Sequence, residues 1–282
     1  MNDQMKKVTI NCQGQLLYLN ESIIMGILNA TPDSFYDGGK YANEEEISNQ
    51  VKNMLDEGAS IIDIGSYSSR SGAAHISEEE ELKRAMPVIK TIHSQFPQAI
   101  LSVDTFRSSV ASKAIESGAC IINDISGGTL DTKMVEMIAY YNVPYVLMHM
   151  KGNPQTMKNE SNYKNMMDEI MFYFSKKINA LRLKGVKDII IDPGFGFSKS
   201  LDQNYELLHK LSDFKLFELP ILVGVSRKSM INKLLNIKPR EALNGTTVLH
   251  TLAVLNGASI LRVHDVKEAK EVLKIVKAFQ QA

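Results

Sequence analysis

Asp192 closes the apolar run Ile189-Ile190-Ile191 and is followed by Pro193, Gly194, Phe195 and Gly196. A β-branched run that stops at an acid, then a proline and a glycine, reads as a buried parallel strand delivering a carboxylate to a loop. The glycines let the backbone approach a ligand and the proline stiffens the exit from the strand. The plainer reading is an Asp that caps the next helix. Other apolar runs end in the same way, at Asn29, Asp63, Asp104, Asn123 with Asp124, Met148 with His149, Ser226-Arg227-Lys228, and Arg262 with His264.

These residues divide by chemistry. Asp104, Asn123, Asp192 and Lys228 mix carboxylates, an amide and an ammonium, a set suited to a flat heterocycle with N–H donors and a carbonyl acceptor. A carboxylate takes two N–H bonds from an amino-pyrimidinone edge, and a lysine supplies a donor to its oxygen or ring nitrogen. Arg70, Arg262 and His264 are cationic and suit phosphate oxygens, while Asn29 can add an oxygen to a metal ion. Singly, each has a bland alternative: Asp104 and Asp192 as caps, Arg262 paired with Asp265 or another acid, His264 as a hydrogen-bonded rim histidine. Capping does not predict a division into a heterocycle group and an anion group.

Two Gly- and Ser-rich loops, 31–39 and 66–73, read as lids, and a helix starting near Ser229 points its N-terminal amides to the same side. His149 and His264 have no third histidine or cysteine in company, which argues against a zinc site. No G-x-S-x-G elbow and no phosphate-cradling G-x-x-x-x-G-K-[ST] is present.

Residues so far apart in sequence meet only if the strands that carry them converge. After a short hairpin around Gly14 (8–11 and 15–19), strand-like segments at 23–29, 60–64, 100–104, 120–125, 144–149, 189–192, 221–225 and 259–263 alternate with helix-like ones. The latter fall at 44–57, 77–94, 108–117, 133–140, 166–183, 204–211, 229–235 with 246–256, and 267–279. Roughly eight βα units are the count of a closed (β/α)8 TIM barrel, with the hairpin as a plug at one end. Gly58, Gly118, Gly185 and Gly257 each stand just before a strand, where a helix C-cap favours glycine. A doubly wound sheet is the alternative, but no G-x-G-x-x-G follows the first strand.

The 282 residues, 44% of them hydrophobic, support a single domain over 1–282. Lys plus Arg and Asp plus Glu balance at 32 each, so no net field draws the chain to nucleic acid or an anionic membrane. Cys12 and Cys120 are expected as free thiols in a reducing compartment. With no apolar signal core and no membrane-length apolar run, a cytoplasmic protein is expected.

The segments MGILNATPDSFYDGG, IIDIGSYSSRSGA, SVDTF, GACIINDISGG, MHMKGNPQTM, DPGFGFSKSLDQN, GVSRKSMI and LRVHDV, in this order over about 25–266, resemble dihydropteroate synthase. The resemblance implies a barrel-shaped homodimer. Its reaction would condense 6-hydroxymethyl-7,8-dihydropterin pyrophosphate with 4-aminobenzoate, releasing pyrophosphate and forming 7,8-dihydropteroate. It places the pterin on Asp104, Asn123, Asp192 and Lys228 beside Met148 and Phe197, and pyrophosphate on Arg262, His264 and, through Mg²⁺, Asn29. Phe35, Ser69, Arg70 and Ser229 would border the aminobenzoate. It further implies that the C–O bond breaks before the amine attacks, with Asp104 opposing a pterin-methyl cation and Mg²⁺, Arg262 and His264 stabilising the leaving group.

Ser66 and Tyr67 replace the usual Gly-Glu, Ser69 the usual Thr, Ser71 the usual Pro and Asn153 the usual Thr, all bearing on the aminobenzoate side. Two other classes share the pterin pocket: methyltransferases acting with a corrinoid partner, and non-catalytic pterin-binding paralogues. Neither has a reason to keep the anion-binding residues.

Overall fold

The computed structural model describes residues 8–30, 39–67 and 75–282, with the backbone alone for 39–43 and 158. Strands β1 (Thr9–Cys12) and β2 (Gln15–Tyr18) pair antiparallel around Gln13 and Gly14, which take φ of 51° and 95°. A turn with two successive positive φ values matches the twist of a hairpin, and glycine adopts it without steric cost.

The chain then alternates. Strands β3 (Ile23–Asn29), β4 (Ile61–Gly65), β5 (Ile100–Asp104), β6 (Ile121–Asp124), β7 (Tyr145–Met148), β8 (Ile189–Asp192), β9 (Leu222–Val223) and β10 (Ile260–Val263) form one parallel sheet in the order β8-β7-β6-β5-β4-β3-β10-β9. Ile191 bridges Ile221, and the Ile191 N–H donates to Pro220 O at 2.9 Å, so β8 meets β9 and the sheet closes. The (β/α)8 barrel expected from the repeat count is the observed fold. Helices α1 (Gly39–Glu57), α2 (Glu78–Gln95), α3 (Ser108–Glu116), α4 (Met134–Tyr141), α5 (Met166–Leu183), α6 (Leu201–His209), α7 (Ser229–Leu235), α8 (Leu243–Leu255) and α9 (Val266–Gln280) connect the strands.

Side chains alternate along each strand, so each buries two faces. Ile24, Leu28, Ile62, Ile64, Leu101, Val103, Leu147 and Ile191 pack outward among helix residues such as Ile89, Ala111 and Phe174. Met25, Ile61, Ile100, Ile121, Val146, Ile190, Leu222 and Ile260 form an inner layer, against which Ile10, Cys12 and Leu19 of the hairpin segment pack. The hairpin therefore plugs the N-terminal end, and an apolar floor lies beneath everything nearer the strand C-termini.

Local signals end the helices where expected: Gly58, Gly118, Gly185 and Gly257 have φ between 90° and 110°. At the other ends, Ser77 accepts from Glu80 N at 3.2 Å, and Ser200 forms a reciprocal capping box with Gln203. That box starts α6 at Leu201, earlier than the expected 204. Strand β9 is shorter than the expected 221–225 because the chain turns at Val225, whose carbonyl accepts from Lys228 N at 3.2 Å. Among the described residues no helix is long and apolar enough to cross a membrane.

Candidate active site

Two residues along from the apolar floor, the inward positions turn polar: Ile61 is followed by Asp63, Ile100 by Ser102 and Asp104, Ile121 by Asn123, Ile190 by Asp192, and Ile260 by Arg262. The parallel register sets Asp104 beside Asn123 and Met148 beside Asp192. Residues read singly from strand ends thus share one rim.

Arg262 organises one side of it. Its Nε donates to Asp63 Oδ2 at 2.6 Å and its Nη2 to Asp104 Oδ2 at 3.0 Å, while Asn123 Nδ2 donates to the same Asp63 oxygen at 3.1 Å. Asp63 is fully buried, and its other oxygen has no partner among the described residues. Burial pushes the Asp104 carboxyl up to about 7; Arg262 opposes the shift and Asp63 adds to it. Arg262 therefore belongs to the carboxylates as much as to any anion, and the expected separation into two groups is joined by this one side chain.

Across the rim, Asp192 Oδ1 accepts from Gly194 N at 2.8 Å, a turn contact and not a helix cap. Burial raises its pKa against the pull of Lys228. Burial likewise lowers Lys228 to about 8, against Asp192. Lys228 donates to Phe195 O and lies 4.8 Å from the centroid of the Phe197 ring. Phe197 packs against a cluster that includes Met148, Phe106 and Tyr67. Carboxylates and an ammonium beside an apolar wall suit a flat, polar-edged ring, because the wall takes the face and the charges take the edge.

The rest of the set lies at the mouth. His264 is exposed, its Nδ1 3.0 Å from Ser226 Oγ. Asn29 is exposed at the end of β3, and Ser229 is exposed at the start of α7. Asp265 takes Arg227, not Arg262, through Nε–Oδ2 at 2.9 Å and Nη2–Oδ1 at 2.7 Å. Phe35, Ser69, Arg70 and Ser71 lie outside the described residues. Sequence reasoning left Asp63 without a role, although an acid inside the run Ile61 to Ile64 was its signal. It gave Lys199 and Asn204 no role, although both lie in the segment DPGFGFSKSLDQN.

Two of the departures meet in one assembly. The Asn153 side chain accepts from Gln155 N and Thr156 N, both at 3.0 Å, shaping a turn that presents Gln155. Gln155 Nε2 donates to the Tyr67 hydroxyl at 2.9 Å, and that hydroxyl lies 3.2 Å from His75 Nδ1. The Tyr67 ring meets Phe106 edge-on at 5.1 Å. The segments after β4 and β7 are thereby tied together. Tyr67→Phe is expected to cost about 1 kcal/mol in urea unfolding, with Gln155→Leu adding little once the hydroxyl is gone. Full additivity in the double-mutant cycle would show that the bond carries no coupling.

Barrel and rim together are those of a pterin-binding enzyme: residues 25–264 match the family described as pterin binding enzyme, and the chain belongs to it. Within that family its similarity is to dihydropteroate synthases, transferases of folate biosynthesis. The chain is 43% identical over 268 residues to dihydropteroate synthase of Escherichia coli K12, covering 94% of each. It superposes with a TM-score of 0.91 at 41% identity on the Yersinia pestis dihydropteroate synthase solved with a sulfonamide drug, covering 98% of this chain and 100% of that one. The Xanthomonas albilineans dihydropteroate synthase with 4-aminobenzoic acid gives a TM-score of 0.90 at 36% identity, with the same coverages.

Proposed function

We propose that this rim condenses 6-hydroxymethyl-7,8-dihydropterin pyrophosphate with 4-aminobenzoate to 7,8-dihydropteroate and pyrophosphate. The observation that carries the reading is the buried Asp192, set against Lys228 on the rim that also carries Asp104, Asn123 and Arg262. In this reading Asp192 accepts two N–H bonds from the pterin edge, Lys228 donates to its carbonyl or ring nitrogen, and Asn123 adds an amide contact. Met148 and Phe197 pack on the ring face.

Breaking the C–O bond of the substrate leaves positive charge on the pterin methylene and negative charge on the diphosphate. Asp104, ionised, opposes the first. Arg262 and His264 hold the second. The aryl amine brings its own lone pair to the new C–N bond and then releases a proton to the departing diphosphate or to solvent, so no side-chain nucleophile has to be activated. Phe35, Ser69, Arg70 and Ser229 are assigned to the aminobenzoate.

Mg²⁺ is proposed to arrive with the diphosphate. The chain offers it the exposed amide of Asn29, and among the described residues no three His, Cys, Asp or Glu side chains gather to cage a metal. An ion that keeps several waters and takes substrate phosphates as ligands asks for no such cage, so the residues fit. Bound there, it would neutralise charge on the leaving diphosphate.

A cytoplasmic location is part of the same proposal, supported by two buried free thiols, Cys12 and Cys120. So are one domain spanning 1–282 and a homodimer, for which the exposed Val248, Leu252 and Leu255 at helical spacing on α8 offer an apolar stripe.

The test is product analysis. With both substrates and Mg²⁺, pyrophosphate is expected to appear in equal amount with dihydropteroate, and no methyl transfer from methyltetrahydrofolate to a corrinoid protein is expected. Pterin binding without pyrophosphate release would favour a non-catalytic role.

A further inference from the structure

Lys199 follows the turn 194–198 that leads out of Asp192 toward α6. Its Nζ donates to Gly194 O at 2.9 Å and Phe197 O at 3.0 Å, and lies 3.2 Å from His149 Nδ1. An ammonium has three donors, and these three neutral acceptors can use all of them. The turn needs holding, because Gly194, Gly196 and Ser198 all have positive φ, at 76°, 79° and 50°. A Cβ on Gly194 would come within 2.1 Å of His149 O, so the turn lies directly on the segment after β7. Ser198 Oγ donates to Lys151 O at 2.6 Å, and Asn204 Oδ1 accepts from Gly196 N at 2.6 Å.

We propose that Lys199 is a positioning residue for pterin recognition: its ammonium sets the turn that carries Phe197 and holds a positive charge on the turn that leads out of Asp192. The inference rests on the assignment of the pterin to Asp192.

Among the described residues, the charges that bear most on the pair come from the ends of β7, β8, β9 and β10. Asp192 feels Lys228, Lys199 and Arg262, each favouring its ionised form against burial. Lys199, lowered to about 7 by burial, is supported by Asp192 and opposed by Lys228 and Lys151. Lys151 is itself paired with Glu169 at 2.6 Å. Burial, then Lys199 and Lys151, hold His149 down at about 2, so its imidazole is neutral and can accept from the ammonium.

Asp192 must be ionised to accept two N–H bonds, so pterin affinity falls as pH drops through its pKa. Removing the Lys199 charge raises that pKa and moves the acid limb to higher pH. The experiment is calorimetric titration of 6-hydroxymethylpterin into wild type, Lys199→Met and Lys199→Gln across pH, with folding checked by circular dichroism. Both variants are expected to bind about ten-fold more weakly near pH 7. In both, the acid limb should lie at higher pH, with Gln recovering part of the affinity at high pH because its amide restores a donor. Should the Met variant not fold, the Gln variant gives the same reading. Unchanged affinity, or weaker binding with an unmoved limb, overturns the proposal. Wild type that fails to bind the pterin would instead overturn the assignment on which it rests.

Discussion

Asp192→Asn is expected to abolish tight pterin binding while leaving the barrel folded. The carboxylate offers only acceptors, and a pterin edge offers two N–H donors to it. An asparagine keeps one acceptor and turns an NH₂ toward a donor. Leaving a buried donor unpaired costs roughly 1–3 kcal/mol, and more where charge is involved. The loss should therefore exceed ten-fold and approach a thousand-fold in the pterin dissociation constant. Stability should fall moderately, because Lys228 and Lys199 lose the carboxylate that supports their charge, a loss only partly offset by the relief of burying Asp192 itself. Calorimetry with 6-hydroxymethylpterin beside a urea melt separates the two effects. Near-wild-type affinity would show that the pterin sits elsewhere.

Arg262→Met is expected to damage stability and catalysis together. The guanidinium stands between Asp63 and Asp104, and its removal leaves two buried carboxyls without their cation. The cost should be about 3 kcal/mol, at the low end for a broken buried pair because the Arg262 side chain is 21% exposed. Asp104, already raised to about 7, loses the group that opposes its burial and becomes neutral at pH 7.

The sign of the pH dependence follows. A carboxyl whose folded pKa lies above its unfolded value binds its proton more tightly in the native state, so stability falls as pH rises from about 4 to the folded pKa. The variant should therefore be relatively more stable at pH 5 than at pH 8. Adding Asp63→Asn should restore part of the stability without restoring turnover, since the diphosphate grip is still missing. A fall in kcat/KM of at least about 100-fold is expected for both the single and the double variant. A double variant with recovered activity would reduce Arg262 to a structural counter-ion.

Much of this architecture was legible along the chain, because its causes are local. Apolar runs such as Ile61-Ile62 and Ile189 to Ile191 mark strands buried on both faces, and Gly58, Gly118, Gly185 and Gly257 mark helix ends through a backbone conformation that favours glycine. Strand counting then brought Asp104, Asn123, Asp192, Lys228 and Arg262 to one rim.

Pairing was not legible in the same way. By sequence logic Arg262 could pair with Asp265 or another acid, and the nearby Asp265 was the obvious one. The folded chain gives Asp265 to Arg227 and sends Arg262 across the barrel to Asp63 and Asp104, 199 and 158 residues away. Lys199 has no assignable partner along the chain until the segment after β7 brings His149 against it. Residue type and local periodicity determine which groups a strand delivers to the rim. Which of them share a proton, a charge or a hydrogen bond depends on distances across the closed sheet, and only closure of the barrel sets those.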